Sequence, residues 1–141
     1  MDIKQSKTMP SVLTYDDVRA VSPALEEYTK GFLLEGLWKR PGLSPRDRSV
    51  VTISALIARN QTIEMPFHFA LALHNGVKPT EFSEIVTHLA FYSGWANAMS
   101  AIAVAKEIFH ERGISIDQLP PAKETLLALP VVKEVFEKRQ K

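Results

Sequence analysis

Helix start and stop signals recur along the chain, and they constrain its fold more than any other feature of the sequence. Ser22-Pro23 and Ser44-Pro45 each place a capping side chain directly before a proline, the usual arrangement at a helix N-terminus. Gly36 and Gly76 stand where the following helices are expected to end. No segment of about four to eight residues alternates between polar and apolar residues as a half-buried strand does. The sequence therefore predicts an all-α fold.

Three later segments supply the hydrophobic pattern of a helical core. Residues from Val50 to Ala58 are apolar or small nearly all the way round, which predicts a central buried helix. Thr80 is expected to cap a helix that runs to about Gly94. The stretch from 96 to 105 is rich in small side chains, which let helices approach closely. Together these segments predict a packed bundle.

A length of 141 residues and a hydrophobic content of 45% suit a single domain with a real core. We predict one helical bundle of about six to seven helices over residues 1–141, with its core at about 23–112. Residues 1–13 are expected to form a loose arm, and Thr14 to cap a short helix after it. Residues 114–141 form a C-terminal extension, and its amphipathic piece from Val131 suits a peripheral or subunit-spanning helix.

The composition argues against several functional classes. Lys and Arg number 17 and Asp and Glu 16, with the two signs interspersed, so no nucleic-acid partner is expected. No apolar run is long enough for a signal peptide or a membrane span, so we expect no membrane association and a cytoplasmic location. The chain contains no cysteine, which excludes disulfides, thiol nucleophiles and cysteine-ligated metals.

The segment NQTIEMPFHFALALHNG (60–76) places Glu64 and His68 one turn apart at the start of a predicted helix, where Pro66 fits only in the first turn. A carboxylate beside an imidazole can orient the ring and shift its pKa into the range useful for proton transfer. The same spacing also suits a structural arrangement. Glu64 would then favour the positive helix N-terminus, and His68 would pack against a neighbouring helix.

A polar and aromatic stripe is predicted along the helix that follows Thr80. Its members recur at spacings of three and four, and they are Glu81, Glu84, His88, Tyr92 and Trp95. His88 is either part of a site or an ordinary surface or interface histidine. We expect no metal site from Glu64, His68 and His88, because the HExxH motif is absent and the third residue lies on another helix.

Arg46 and Arg48 lie in the predicted first turn of the helix that begins at Ser44-Pro45. Cations at this position oppose the helix dipole unless an anion compensates for them. An ion pair with Asp47, Glu26 or Glu27 would do so. A carboxylate substrate, or a carboxylate from a second subunit, would do so equally well.

Several of these blocks together resemble the carboxymuconolactone decarboxylase family. They are GLWKRPGLSPRDRSVVTISALIA (36–58), then Glu64, His68 and Gly76 in the following helix, then EFSEIVTHLAFYSGWANAM (81–99). The match covers roughly residues 23–110, in the family's order and with compact spacing. The resemblance implies an all-helical fold that assembles into homo-oligomers, either trimers or hexamers.

The family contains two chemistries, and the lack of cysteine separates them for this chain. One branch, the hydroperoxidase branch, uses two cysteines three residues apart at positions that correspond to Gln61 and Glu64, so its thiol chemistry is impossible here. The other branch decarboxylates 4-carboxymuconolactone in protocatechuate breakdown, without a cofactor. This chain is similar to that branch in length and in its arginine-rich block from Arg40 to Arg48. It departs from many relatives at Ser49, where they have glutamate, and at Ala96, where proline often stands.

For this branch the resemblance implies a small anionic substrate and a reaction that needs no metal and no cofactor. His68 would donate a proton or stabilise an oxyanion, with Glu64 orienting its ring. Arg48 or Arg40 would hold a substrate carboxylate. The other site residues would be a second polar group, His88 with Tyr92, and an apolar wall, Phe67 with Trp95. The competing interpretation is a non-catalytic binding or accessory protein on the same scaffold, because fold does not determine function.

We predict an obligate homo-oligomer, because the helix at 50–58, the alanine-rich stretch at 96–105 and the amphipathic tail offer more apolar surface than a small monomer can cover. Size-exclusion chromatography with light scattering should give a mass of several chains. A stable monomer at micromolar concentration would contradict this prediction.

Overall fold

The computed structural model describes residues 13–128 and 130–140, which form seven α-helices and no strand. In chain order the helices are α1 (Tyr15–Val21), α2 (Pro23–Tyr28), α3 (Pro45–Ala58), α4 (Met65–His74), α5 (Pro79–Tyr92), α6 (Trp95–Glu111) and α7 (Pro130–Arg139). Short 3₁₀ turns occupy Leu37–Lys39, Thr62–Glu64 and Ile116–Gln118. The predicted all-α class is confirmed. The predicted N-terminal arm lies outside the described residues, apart from Leu13.

Three of the predicted N-terminal caps are confirmed. The Thr14 side chain accepts a hydrogen bond from the Asp17 backbone N–H at 3.1 Å, and Asp17 accepts one in return from the Thr14 N–H. The hydroxyl of Ser22 accepts from Leu25, and that of Ser44 accepts from Asp47. Each bond satisfies an N–H group that has no partner within its helix, so these local signals set where the helices begin.

The predicted cap at Thr80 is wrong. Helix α5 begins two residues earlier than predicted, at Pro79, and Lys78 occupies the capping position. The backbone N–H of Lys78 donates to the Glu81 carboxylate at 3.0 Å. Proline at the first helical position needs no N–H partner, and an acid at the third position suits the positive end of the helix. These two features start the helix without a hydroxyl cap.

The single helix predicted between Ser22-Pro23 and Gly36 is also wrong in detail. Helix α2 ends at Tyr28, and the chain continues as a π-helical segment over Thr29–Leu34, with Gly31 inside it. Glycine lowers the stability of a regular α-helix, so it makes such a local widening easier. At Gly36 a Cβ atom would lie 2.5 Å from the Phe32 carbonyl oxygen, so this turn requires glycine.

Helices α3 to α6 form an up-and-down bundle. Asn97 at the start of α6 donates to the Ala58 carbonyl at the end of α3, and Asn75 after α4 donates to the Ser49 hydroxyl near the start of α3. Both α4 and α6 therefore run antiparallel to α3. Arg46 at the start of α3 pairs with Glu81 at the start of α5, so these two helices run in the same direction.

The core lies between these four helices and is built around aromatic rings. Phe69 of α4 meets Phe82 of α5 edge to face at 4.9 Å, and Phe82 meets Phe109 of α6 at 5.4 Å. The other buried apolar side chains pack around these rings, and they are Ile53, Ile57, Met65, Ala72, Val77, Val86, Ala98, Ala101 and Ala105. Burial of this apolar surface is the main source of stability of the bundle.

The sequence predicted that helix α3 is buried on all sides, and this prediction is wrong. Ser49, Ile53 and Ile57 face the core, whereas Val51 is 59% exposed. Trp95 does not continue the stripe of α5 either. Gly94, at φ +112°, turns the chain between the two helices, and Trp95 becomes the first residue of α6. No helix in the described ranges is long and apolar enough to cross a membrane.

We expect Phe69→Ala to lower the free energy of unfolding by about 3–5 kcal/mol, because Phe69 is fully buried and the substitution leaves a cavity. Phe32→Ala is the matched control, since Phe32 is 71% exposed, and it should change stability by less than about 1 kcal/mol. Urea unfolding at one fixed protein concentration measures both values. Equal losses for the two variants would contradict this assignment of the core.

Candidate active site

Glu64 and His68 lie at the start of α4, as their spacing predicted. Glu64 closes the 3₁₀ turn Thr62–Glu64 and precedes the first residue of the helix, while Pro66 lies in the first turn. The Nε2 atom of His68 is 4.0 Å from the nearer carboxylate oxygen of Glu64. This distance is too long for a hydrogen bond but short enough for electrostatic attraction. The side chain of His68 is 14% exposed and that of Glu64 is 53% exposed.

The ring of His68 lies against aromatic side chains. The indole of Trp38, from the 3₁₀ turn Leu37–Lys39, stacks on it with a centroid distance of 6.0 Å and an interplanar angle of 18°. The ring of Phe67 meets it edge to face at 5.0 Å. Phe67 therefore lies beside His68, where an apolar wall was predicted. Trp38 was not among the predicted site residues, although it stands within the block that carries the family resemblance.

Burial lowers the pKa of His68 below its ordinary value of 6.5, because the charged ring loses its hydration, and the negative charge of Glu64 opposes this shift in part. The Nδ1 atom of His68 is buried and has no hydrogen-bond partner among the described residues. The protein therefore favours the neutral ring, and its Nδ1 atom lies in the interior without a hydrogen-bond partner among the described residues.

Arg48 and Arg40 are linked by a hydrogen bond beside the 3₁₀ turn Leu37–Lys39. A terminal nitrogen of the Arg48 guanidinium, Nη2, donates to the Arg40 carbonyl at 3.0 Å. The Nε atom of Arg48 is buried and has no hydrogen-bond partner in the ranges the structure describes. Because Arg40 follows Trp38 by two residues, this bond ties α3 to the segment that covers His68. The structure therefore brings Glu64, Phe67 and His68 together and connects them to the two arginines through residues 38–40.

Arg46, which lies with Arg48 at the start of α3, has a different environment. It pairs with Asp47 at 2.9 Å and with Glu81 of α5, and neither Glu26 nor Glu27 takes part. Of the three acids that the sequence offered as partners, Asp47 forms the ion pair, while Glu26 lies beside Lys30 instead, at 3.6 Å. A hydrogen bond from the Lys78 backbone, and then the charges of Arg46 and Lys78, hold the pKa of Glu81 below its ordinary value. Arg46 is therefore neutralised within the protomer.

His88, Tyr92 and Trp95 form no recorded ring contact, hydrogen bond or ion pair with His68 in the described part of the chain. The rings of His88 and Tyr92 stack at 4.7 Å, and Trp95 meets Phe91 edge to face. All of these side chains are exposed. Their predicted roles in a site remain predictions. In residues 13–128 and 130–140 no group of three or more His, Cys, Asp or Glu side chains could share a metal ion.

A cleft of about 820 Å³ lies elsewhere, between the starts of α3 and α5 and the segment at 117–124. It contains the Arg46–Glu81 ion pair, and three further acidic residues line it: Glu84, Asp117 and Glu124. An excess of negative charge disfavours the binding of a carboxylate substrate. We therefore place the candidate site at His68 and not in this cleft.

The pKa of His68 makes a prediction about stability. Because its folded-state pKa is lowered, the unfolded chain binds the proton more readily. The contribution of His68 to stability is therefore present above about pH 6.5 and is lost as the pH falls toward its folded-state pKa. We expect urea unfolding between pH 8 and 5 to show a steeper loss of stability for wild type than for His68→Gln. Parallel curves for the two proteins would contradict this prediction.

Comparison with known proteins agrees with the resemblance. The sequence model of the carboxymuconolactone decarboxylase family matches residues 23–107. The chain is 31% identical over 94 residues to a 4-carboxymuconolactone decarboxylase of Acinetobacter baylyi, covering 67% of this chain and 70% of that protein. It is 32% identical over 75 residues to a nitrosuccinic acid decarboxylase of Metarhizium robertsii, covering 53% of this chain and 52% of that protein. Because the family model matches more than half of its length, the chain belongs to the carboxymuconolactone decarboxylase family.

Proposed function

We propose that this protein is a cofactor-independent decarboxylase of a small carboxylated lactone, with 4-carboxymuconolactone as the first substrate to test. The observation that carries the proposal is the similarity to two proteins that are both named as decarboxylases of small carboxylic acids. The absence of cysteine is consistent with this branch of the family, because the thiol chemistry of the other branch needs cysteine.

The two named substrates share a chemical property. In 4-carboxymuconolactone, loss of CO₂ from the ring carbon leaves the bonding electron pair in a dienolate, whose charge rests on the lactone carbonyl oxygen. In nitrosuccinic acid the nitro group on the same carbon takes up the charge in the same way. Both compounds carry a second carboxylate. The proposed substrate class is therefore a small dicarboxylic acid in which an electron-accepting group is attached to, or conjugated with, the carbon that loses CO₂.

Such a substrate supplies its own electron sink, so the protein has three tasks: to bind carboxylates, to stabilise the new oxyanion and to return a proton to carbon. His68 performs the last step, or stabilises the oxyanion by donating a hydrogen bond. The burial of its ring and its position beside the Glu64 carboxylate support this role. When it acts as the acid, CO₂ leaves first and the bonding electron pair stays in the dienolate. His68, protonated from solvent, then gives its proton to carbon and returns to the neutral ring that burial favours.

Arg48 is the proposed carboxylate ligand, with Arg40 beside it. The guanidinium of Arg48 has no carboxylate partner among the described residues, whereas that of Arg46 has two. A guanidinium with free N–H groups can bind a carboxylate through two parallel hydrogen bonds. Phe67 lies against His68 and would keep the leaving carboxylate poorly hydrated.

We further propose that the active form is a homo-oligomer, a trimer or a hexamer. The exposed apolar side chains at the junction of α5 and α6 support this, since Phe91 and Tyr92 are 77% and 78% exposed. Patches of this kind are typical of protein interfaces. The proposed roles of His88, Tyr92 and Trp95 then depend on which surface of a neighbouring subunit they meet.

We expect wild-type protein to release CO₂ from 4-carboxymuconolactone and His68→Gln to lower kcat by ~10²-fold or more, because glutamine cannot transfer the proton. Glu64→Gln should cost less, since the ring remains. The substitution removes the negative charge of Glu64, which raises the pKa of His68, so the pKa of His68 should fall further. CO₂ release and loss of substrate absorbance measure all of these rates.

His110→Gln is the matched control, because His110 is an exposed histidine near the end of α6 and should leave kcat unchanged. Nitrosuccinic acid is the second substrate to assay. Wild-type protein that is inactive on both acids, but is stabilised against melting by them, would favour the non-catalytic binding interpretation. An active wild type with an unimpaired His68→Gln variant would show that His68 is only structural.

A further inference from the structure

The orientation of the His68 ring is not held by hydrogen bonds. Its Nε2 atom is 4.0 Å from the Glu64 carboxylate, which is beyond hydrogen-bonding distance, and its Nδ1 atom has no partner among the described residues. A histidine that transfers protons is usually oriented by a hydrogen bond to its second nitrogen. Some other contact must therefore determine the plane of this ring.

The His68 ring stacks on the indole of Trp38, and this contact can orient the ring. The two rings are 18° from parallel at a centroid distance of 6.0 Å, while the Phe67 ring meets His68 nearly at a right angle, at 81°. One aromatic face and one aromatic edge therefore restrict rotation of the imidazole. Trp38 lies in a different segment from His68, so its position is independent of the first turn of α4.

Two contacts anchor the segment that carries Trp38. The carbonyl of Arg40, two residues after Trp38, accepts a hydrogen bond from Arg48 of α3. On the other side of Trp38, the close turn at Gly36 allows the chain to leave the π-helical segment and enter the 3₁₀ turn. The indole is thus presented to His68 by a backbone that is fixed before and after it.

We propose that Trp38 is a positioning residue, whose indole face sets the plane of the His68 imidazole and shields the ring from water. Trp38 acts through His68 and does not touch the reacting atoms. The inference rests on the proposed function only for its effect on turnover. Its effect on the ring of His68 can be measured in protein without substrate.

Charged groups on the elements around α4 could also affect His68, and the ones closest along the chain or bonded to its surroundings are known. Glu64 lies beside His68 at the helix start, and Lys39 and Arg40 flank Trp38 on its turn, with Lys39 paired to Glu35. Arg48 of α3 is bonded to the Arg40 carbonyl, and Arg112 of α6 donates to the Ala70 carbonyl further along α4. Replacing Trp38 with an apolar residue changes none of these charges, so a change at His68 would report on the stack.

The test compares Trp38→Phe, which keeps an aromatic face, with Trp38→Leu, which keeps an apolar side chain without one. NMR of ¹⁵N-labelled histidine follows the titration and tautomer of His68, and the ring-current shift of its protons reports the stack. With leucine we expect the ring-current shift to disappear and the pKa to rise toward 6.5, because more water reaches the ring. With phenylalanine both should stay close to wild type.

In decarboxylation assays Trp38→Leu should lower kcat about tenfold with little change in KM, since a misoriented proton donor affects the chemical step more than binding. Leu37→Ala, in the same 3₁₀ turn, is the control for general disturbance of the segment and should change neither the NMR titration nor kcat. If the leucine variant does not fold, Trp38→Met replaces it.

A folded Trp38→Leu protein in which His68 keeps its wild-type titration, tautomer and kcat would overturn the positioning role. A wild-type protein without decarboxylase activity would overturn the proposed function instead. In that case the NMR comparison still decides whether Trp38 controls the ring. The two failures are therefore distinguishable.

Discussion

The bundle depends on the contact among Phe69, Phe82 and Phe109, which joins α4, α5 and α6 at the centre of the molecule. Full burial of a phenyl ring contributes about 1.5–3 kcal/mol. The contact also fixes how α4 is rotated about its axis. Because Phe69 points into the core, His68, one residue earlier, is turned by about 100° and meets Trp38 instead. The core packing therefore determines the environment of the candidate catalytic residue.

The two arginines that the sequence places in the same helical turn, Arg46 and Arg48, differ in their ion pairs. Arg46 is paired with Asp47 and Glu81 and holds α3 against α5, so its charge is used within the fold. Arg48 bonds only to a backbone carbonyl among the described residues, and its charge is not neutralised by a carboxylate there. A guanidinium without a carboxylate partner is a suitable group to bind an anionic substrate. The acidic cleft beside Arg46 is less suitable for an anionic substrate, because its carboxylates repel negative charge.

Membership of the family narrows the chemistry without completing it. Two relatives that share about a third of their aligned residues with this chain are named for substrates with different electron-accepting groups. A scaffold that only binds an acid, stabilises an oxyanion and returns a proton can serve both, because the electron sink belongs to the substrate. Ser49 lies buried and bonded to Asn75, at a position where many family members are expected to carry glutamate. Substrate preference is therefore a question for the residues around the site and not for the fold.

The sequence by itself determined the features that depend on interactions between residues within one helical turn. The caps at Thr14, Ser22 and Ser44 and the Glu64–His68 spacing depend on neighbours three or four residues away, so local patterns were sufficient to predict them.

Only the tertiary structure decided the contacts between distant segments. Trp38 on His68 and Arg46 on Glu81 join residues 30 and 35 positions apart, and the exposed side of α3 depends on which helices surround it. No local pattern specifies these contacts, because they follow from the packing of the whole bundle.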